Sequence, residues 1–203
     1  MSLLGLKRVK GDLSPVLGGD VDADCFHINN LEKHSLLSIY TFNYATIIGQ
    51  GKPTQALQGV YSGWSLPVYA TDNEELFACS CVPSEWDGLT NPIVYIGGWI
   101  DTANTGKNFQ MQVSWSHTTM DGTMAMDTTT HDVEVSQATG TASQYTGFKL
   151  AFTLDFIAQS VVAGDAIGIR VRRIAAASNE ITGEFVVEGA MLAVPSTRIG
   201  GTW

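Results

Sequence analysis

GDAIGIRVRRIAAASNEITGEFVVEGAMLAV, residues 164–194, alternates apolar and polar side chains almost without interruption. In its first half Ile167, Ile169 and Val171 share one parity, and Gly168, Arg170 and Arg172 the other. Side chains on a strand point to alternate faces, so a period of two marks a strand with one wet face. The second half, from Phe185 to Val194, is apolar on both parities except at Glu188, the pattern of a more deeply buried strand. Small and polar residues from Ala175 to Glu180 form the loop between them.

The same signals recur outward from this pair. NFQMQVSWS sets Phe109, Met111, Val113 and Trp115 against Gln110, Gln112, Ser114 and Ser116. FKLAFTLDF sets Phe148, Leu150, Phe152, Leu154 and Phe156 against Lys149, Ala151, Thr153 and Asp155. LLSIYTFNYATII (36–48), ELFACSCV (75–82), IVYIGGWI (93–100) and HDVEVS (131–136) are further strands, with a kink or bulge expected at Gly97-Gly98. The segment from Tyr61 to Tyr69 is broken by Pro67 and reads as an edge strand, because proline donates nothing to a ladder. Asp121-Gly122 signals a hairpin turn. Many short strands with regular turn signals and no amphipathic helix predict an all-β chain, an antiparallel β-sandwich of jelly-roll type.

Residues 1–35 lack periodicity and hold glycines at 5, 11, 18 and 19, so they read as an extended N-terminal anchoring arm. The sandwich is expected over 36–194 and a C-terminal tail over 195–203. The N-terminus places its basic residues after a very short apolar patch, the reverse of a secretory signal, so folding in the cytoplasm of the producing cell is expected.

Composition narrows the function. The chain has 203 residues, of which 44% are hydrophobic and only 15% charged; soluble domains average roughly 25% charged. A net charge of −9 with 11 Lys and Arg residues argues against nucleic-acid and anionic-membrane partners, which need cationic contacts. No apolar run approaches the roughly 18 residues that span a bilayer.

The candidate chemistry is thin. Asp20, Asp22 and Asp24 open like a calcium loop, but the positions that need Gly and Glu hold Cys25 and Leu31, so an acidic turn is expected. Cys79 and Cys81, one residue apart, are half of a metal set that Cys25 and His27 would have to complete; zinc spacing is absent, and buried free thiols are expected. His27, His34, His117 and His131 show no ligand spacing, and His131 and Asp132, as strand neighbours, should face opposite ways. Glu74, Glu75 and Glu85 make a glycosidase pair only if two of them face each other across a cleft. Trp64, Trp86, Trp99, Trp115 and Trp203 would serve as a sugar platform if exposed, though core or interface positions are expected. The expectation is no catalytic residue, no cofactor and no metal.

Two stretches resemble tailed-bacteriophage virion structural proteins. LSPVLGGDVDADCFHINN (13–30) is similar to a P-x-L-G-G-D-L-D…I segment of tail and head fibres, through Pro15, Leu17, Gly18, Gly19, Asp20, Asp22 and Ile28. Val21 replaces the usual Leu, and Cys25 departs from the usual Asn-Gly turn. Gly164-Asp165, Arg170, Arg173 and Thr182-Gly183-Glu184 fill a C-terminal pattern similar to that of small phage β-sandwich proteins, with Glu184 where Asp is commoner. The resemblance implies a virion location and, for so compact a chain, a capsid decoration (cement) protein that binds across subunits of the major capsid protein. A short head or tail fibre or receptor-binding module is the alternative within that class, and a glycan-binding β-sandwich domain the alternative outside it. Strands apolar on both faces, including 36–48 and 185–194, predict a second cover and hence self-association; the resemblance implies a homotrimer.

Overall fold

The computed structural model describes residues 53–68, 74–120 and 129–196, and the backbone of 32–37. Ten strands and no helix occur among them: β1 Glu32–Leu37, β2 Thr54–Gln58, β3 Tyr61–Leu66, β4 Leu76–Cys81, β5 Ile93–Ile100, β6 Asn108–Thr118, β7 His131–Ala138, β8 Gly147–Thr153, β9 Ala166–Ile174 and β10 Phe185–Pro195. One sheet (A) runs β2-β3-β10-β5-β8, with β1 also on β10; the other (B) runs β4-β9-β6-β7.

The pairing is nested. β6 pairs β7, β5 pairs β8, β4 pairs β9 and β3 pairs β10, all antiparallel. A long hairpin rolled up so that successive rungs fall in alternate sheets gives this order, and that is the jelly roll. The sandwich is therefore the one the alternating residues predict.

Alternation also builds the interior. Phe109, Met111, Val113 and Trp115 of β6, with Ile167, Ile169 and Val171 of β9, meet Leu150 and Phe152 of β8 and Phe185, Val187 and Leu192 of β10. Phe109 stacks on Phe185 across the sheets at 4.7 Å between centroids. Each such side chain contributes about 1.5–3 kcal/mol by leaving water.

Several expectations change in detail. β3 is not an edge: β2 pairs one side and β10 the other, and Pro67 lies just past the last paired residue, where its missing N–H costs no ladder bond. The bulge expected at Gly97-Gly98 sits on the partner strand, where the register of β10 shifts between Val187 and Gly189 around exposed Glu188. That bulge divides one edge of β10, which pairs β3 over Phe185–Val187 and β1 over Ala190–Pro195. β1 starts at Glu32, so residues 32–35 belong to sheet A although the arm was expected to run to 35. Residues 1–31, with the acidic turn, Cys25 and His27, lie outside the described residues, as do the Asp121-Gly122 turn, Trp203 and most of 36–48.

Val186, Trp99 and Ala193 alternate with core residues, which places them on the face of sheet A turned away from sheet B, yet all three are buried. Sheet A is thus apolar on both faces at these positions, as the pattern of 185–194 predicts. The apolar side chains left exposed lie elsewhere.

Candidate interaction surface

The chemistry-bearing residues are dispersed. Cys79 and Cys81 are free and exposed, contrary to the expectation of buried thiols. Core residues Leu76 and Ala78 hold the inward parity of β4, so both cysteines point outward from this edge strand of sheet B. Glu75 precedes β4 and Glu85 follows it, so the six-residue strand separates them by about 20 Å; a glycosidase pair needs roughly 5–9.5 Å. His131 turns inward against Trp115, with ring centroids 4.9 Å apart, while Asp132 is exposed on the other face, as strand parity requires. Trp86, Trp99 and Trp115 are buried and Trp64 is packed against the core, so none of the described tryptophans offers a sugar platform. No group of three or more His, Cys, Asp or Glu among the described residues is placed to hold a metal ion.

Instead, the residues of the C-terminal resemblance shape the backbone. Gly164 has φ +94°, a turn conformation that L side chains rarely adopt. Asp165 accepts the Val162 N–H at 3.0 Å and faces His117 Nδ1 at 3.1 Å, tying the β8–β9 turn to β6. Arg173 points into the interior and holds the β9–β10 loop through the Gly183 carbonyl and the Glu180 carboxylate. A Cβ on Gly183 would stand 2.0 Å from Asp101 Oδ1 and 2.7 Å from Thr102 Cβ, so a larger residue would displace the Asp101 and Thr102 side chains that hold this loop.

Two outward surfaces remain. On sheet B a polar lattice runs from Glu75, just before β4, across β9, β6 and β7: Glu75 faces Arg170 and Arg172, Arg170 donates to Ser114 Oγ, Arg172 donates to Gln112, and Gln110 and Gln112 donate to Glu134. Burial pushes the Glu75 carboxyl above the usual carboxylate range, and the two arginines oppose that shift without cancelling it.

The second surface is one end of the roll. At the opposite end the loops 101–107, 139–146 and 175–184 are polar and knit together, with Glu184 N–H donating to Asp101 Oδ1 and Thr182 N–H to Asn104 Oδ1. At the second end the loops 82–92 and 154–165, with Met120 just past β6, carry exposed Leu89 (78%), Met120, Ile157 and Val162. β3 runs antiparallel to β10, with Leu66 opposite Phe185, so the β2–β3 hairpin turns its tip toward this same end, with Leu57, Val60 (92%) and Tyr61 exposed. Among the described residues, Tyr145 is the one exposed large hydrophobic at the polar end.

Loops 82–92 and 154–165 contain no Lys or Arg and four acids, of which Asp87 and Asp155 reach solvent while Glu85 and Asp165 are buried. Slight burial pushes the Asp87 carboxyl up, but the N–H groups of Leu89 and Thr90 and the Thr90 hydroxyl outweigh it and hold it below the usual range. The described part of this end is thus mainly apolar, with Asp87 and Asp155 at its surface. Each loop reads alone as an ordinary polar turn with one or two hydrophobics; their convergence depends on long-range pairing that no local pattern discloses.

No protein-family model matches the chain, and no curated protein matches it. Similar solved structures include a carbohydrate-binding module specific for non-crystalline cellulose, CBM28 (8% identity, TM-score 0.36, covering 78% of this chain and 84% of that one). Infectious bursal disease virus Gx strain (9%, TM-score 0.35) is matched over 86% of this chain and 33% of the viral chain. The family 11 carbohydrate-binding module from Clostridium thermocellum, in complex with a β-1,3-1,4-mixed-linked tetrasaccharide (11%, TM-score 0.30), is matched over 86% and 94%.

Proposed function

We propose that this chain is a virion structural protein of a tailed phage, acting as a capsid decoration (cement) protein. The observation that carries the reading is the use made of the C-terminal residues shared with phage β-sandwich proteins. Gly164, Asp165, Arg173 and Gly183 each set a turn or lock a loop of the jelly roll. They encode a scaffold rather than a reaction. The exposed apolar side chains of the loop end, Leu89, Met120, Ile157 and Val162, offer a docking face. A protein of this kind stabilises a shell by binding only the assembled state, and repeated weak contacts add through multivalency.

A mass-spectrometric inventory of purified particles tests the reading. On the order of hundreds of copies per particle, as a shell lattice demands, supports decoration, and about a dozen or fewer indicates a neck, tail or fibre part. Absence from particles refutes both.

The polar lattice on sheet B favours a second reading, a glycan-binding domain, because alternating guanidinium, amide and carboxylate groups suit sugar hydroxyls. Binding on a glycan array that Arg170→Ala abolishes would establish it.

A further inference from the structure

We propose that Cys79 and Cys81 form a two-coordinate site for a soft monovalent cation of the copper(I) class. Both thiols are free and exposed on β4, where Leu76 and Ala78 hold the inward parity. They therefore stand side by side on the outward face of an edge strand. Across the ladder Cys79 faces Gly168 and Cys81 faces Ala166, so no side chain longer than a methyl group screens them on that flank. The first long outward side chain of β9, Arg170, lies opposite Phe77 instead.

Spacing selects the chemistry. Two residues along a strand set the Cα atoms, and the parallel Cβ atoms with them, about 6.4–6.8 Å apart. A disulfide needs Cβ atoms roughly 3.5–4.5 Å apart, so the pair cannot close on itself while β4 stays a strand. A linear thiolate–metal–thiolate unit is wider, because bonds of about 2.3 Å put the sulfurs about 4.6 Å apart. Strand side chains lean along the strand direction, and a lean of about 1 Å from each thiol reaches that separation. Zinc is disfavoured by ligand count: it takes three or four protein ligands, and no third Cys, His, Asp or Glu completes a set among the described residues. Thiolates select soft ions such as copper(I). On binding, each thiol loses its proton and its sulfur donates an electron pair to the ion, so one cation replaces two protons and no electron is transferred. The inference rests on neither the virion nor the glycan reading.

Anaerobic titration of the full chain with copper(I), in competition with a chromophoric copper(I) chelator, tests the site. The wild type should take up a single equivalent. Cys79→Ser and Cys81→Ser should each lower the affinity by at least about 100-fold, because the second thiol of a tethered pair binds at a high effective concentration. Both side chains are exposed, so the serine variants keep the fold. Cys25→Ser, which alters the remaining cysteine of the chain, should bind as the wild type does. X-ray absorption of the loaded protein should find two sulfur neighbours around copper and no third. The proposal is overturned by a wild type that leaves copper(I) with the chelator, or by a Cys79→Ser or Cys81→Ser variant that binds as tightly as the wild type. Loss of binding in Cys25→Ser, or a third sulfur on the metal, overturns it as well.

Discussion

Arg173 Nη1 donates to the Gly183 carbonyl at 2.6 Å from a side chain only 1% exposed. A second nitrogen of the same guanidinium meets the Glu180 carboxylate and the Ile181 carbonyl. β9 has Ile167, Ile169 and Val171 on its inward parity, so Arg173 is the next inward residue, a cation where the pattern asks for a hydrophobe. It satisfies carbonyls that the tight β9–β10 loop would otherwise leave unpaired next to the core.

Arg173→Ala should therefore destabilise by about 3–5 kcal/mol, the scale for removing one member of a buried hydrogen-bonded pair. Arg173→Met should cost less, since it restores volume but not the bonds. Urea unfolding measures both, and a loss under about 1 kcal/mol for the alanine variant would mean the loop holds itself.

Neighbouring glycines should behave oppositely. A Cβ on Gly98 would lie 2.1 Å from the Val186 carbonyl oxygen and 2.8 Å from the Phe185 ring. A ladder carbonyl cannot swing aside, so Gly98→Ala should cost about 3 kcal/mol by forcing β5 and β10 apart. At Gly97 the nearest atom would be 4.0 Å away, so Gly97→Ala should stay within about 0.5 kcal/mol. Equal losses at the two sites would show that the pair acts through backbone freedom rather than close approach.

Strand parity was legible in the sequence where one face is wet. Phe109 to Trp115 and Ile167 to Val171 face inward as their alternation requires, and the jelly roll follows from many such strands. The role of Gly98 was not legible, because a close approach and a bulge leave the same residue behind. β2 was missed for want of contrast: Thr54, Gln55, Ala56 and Gln58 hold no apolar stripe, and Leu57 is exposed. The loop end was invisible because Leu89, Met120 and Ile157 are brought together only by nested pairing across the whole chain.

The cysteines show the same limit and give a further test. Free cysteine is usually buried, but Cys79 and Cys81 occupy the outward parity of an edge strand. Both should react with a maleimide in the folded protein, and Cys79→Ser with Cys81→Ser should change stability by less than about 0.5 kcal/mol. Mass spectrometry of the labelled native protein counts the modified thiols; protection of either one places a cover over this part of sheet B.

Glu75 sets the pH response of that sheet. Burial raises its carboxyl pKa in the fold, with Arg170 at 3.4 Å and Arg172 at 3.6 Å pulling the other way. A raised folded value means that the native state holds the proton more tightly than the unfolded chain. Its favourable contribution is then complete below the unfolded carboxylate pKa and is lost as pH rises through the folded value. Asp87 has the opposite sign: its lowered value adds stability above the unfolded pKa that disappears as pH falls through the folded one. The two effects occupy different windows, so a pH series separates them. Between about pH 4 and 7 the wild-type urea midpoint should contain a falling component that Glu75→Gln removes, because glutamine cannot titrate. Glu75→Gln should leave the acid-side loss due to Asp87 in place. If the two proteins follow parallel curves throughout that range, Glu75 is ionised as easily in the fold as in water, and the arginines, not burial, govern it.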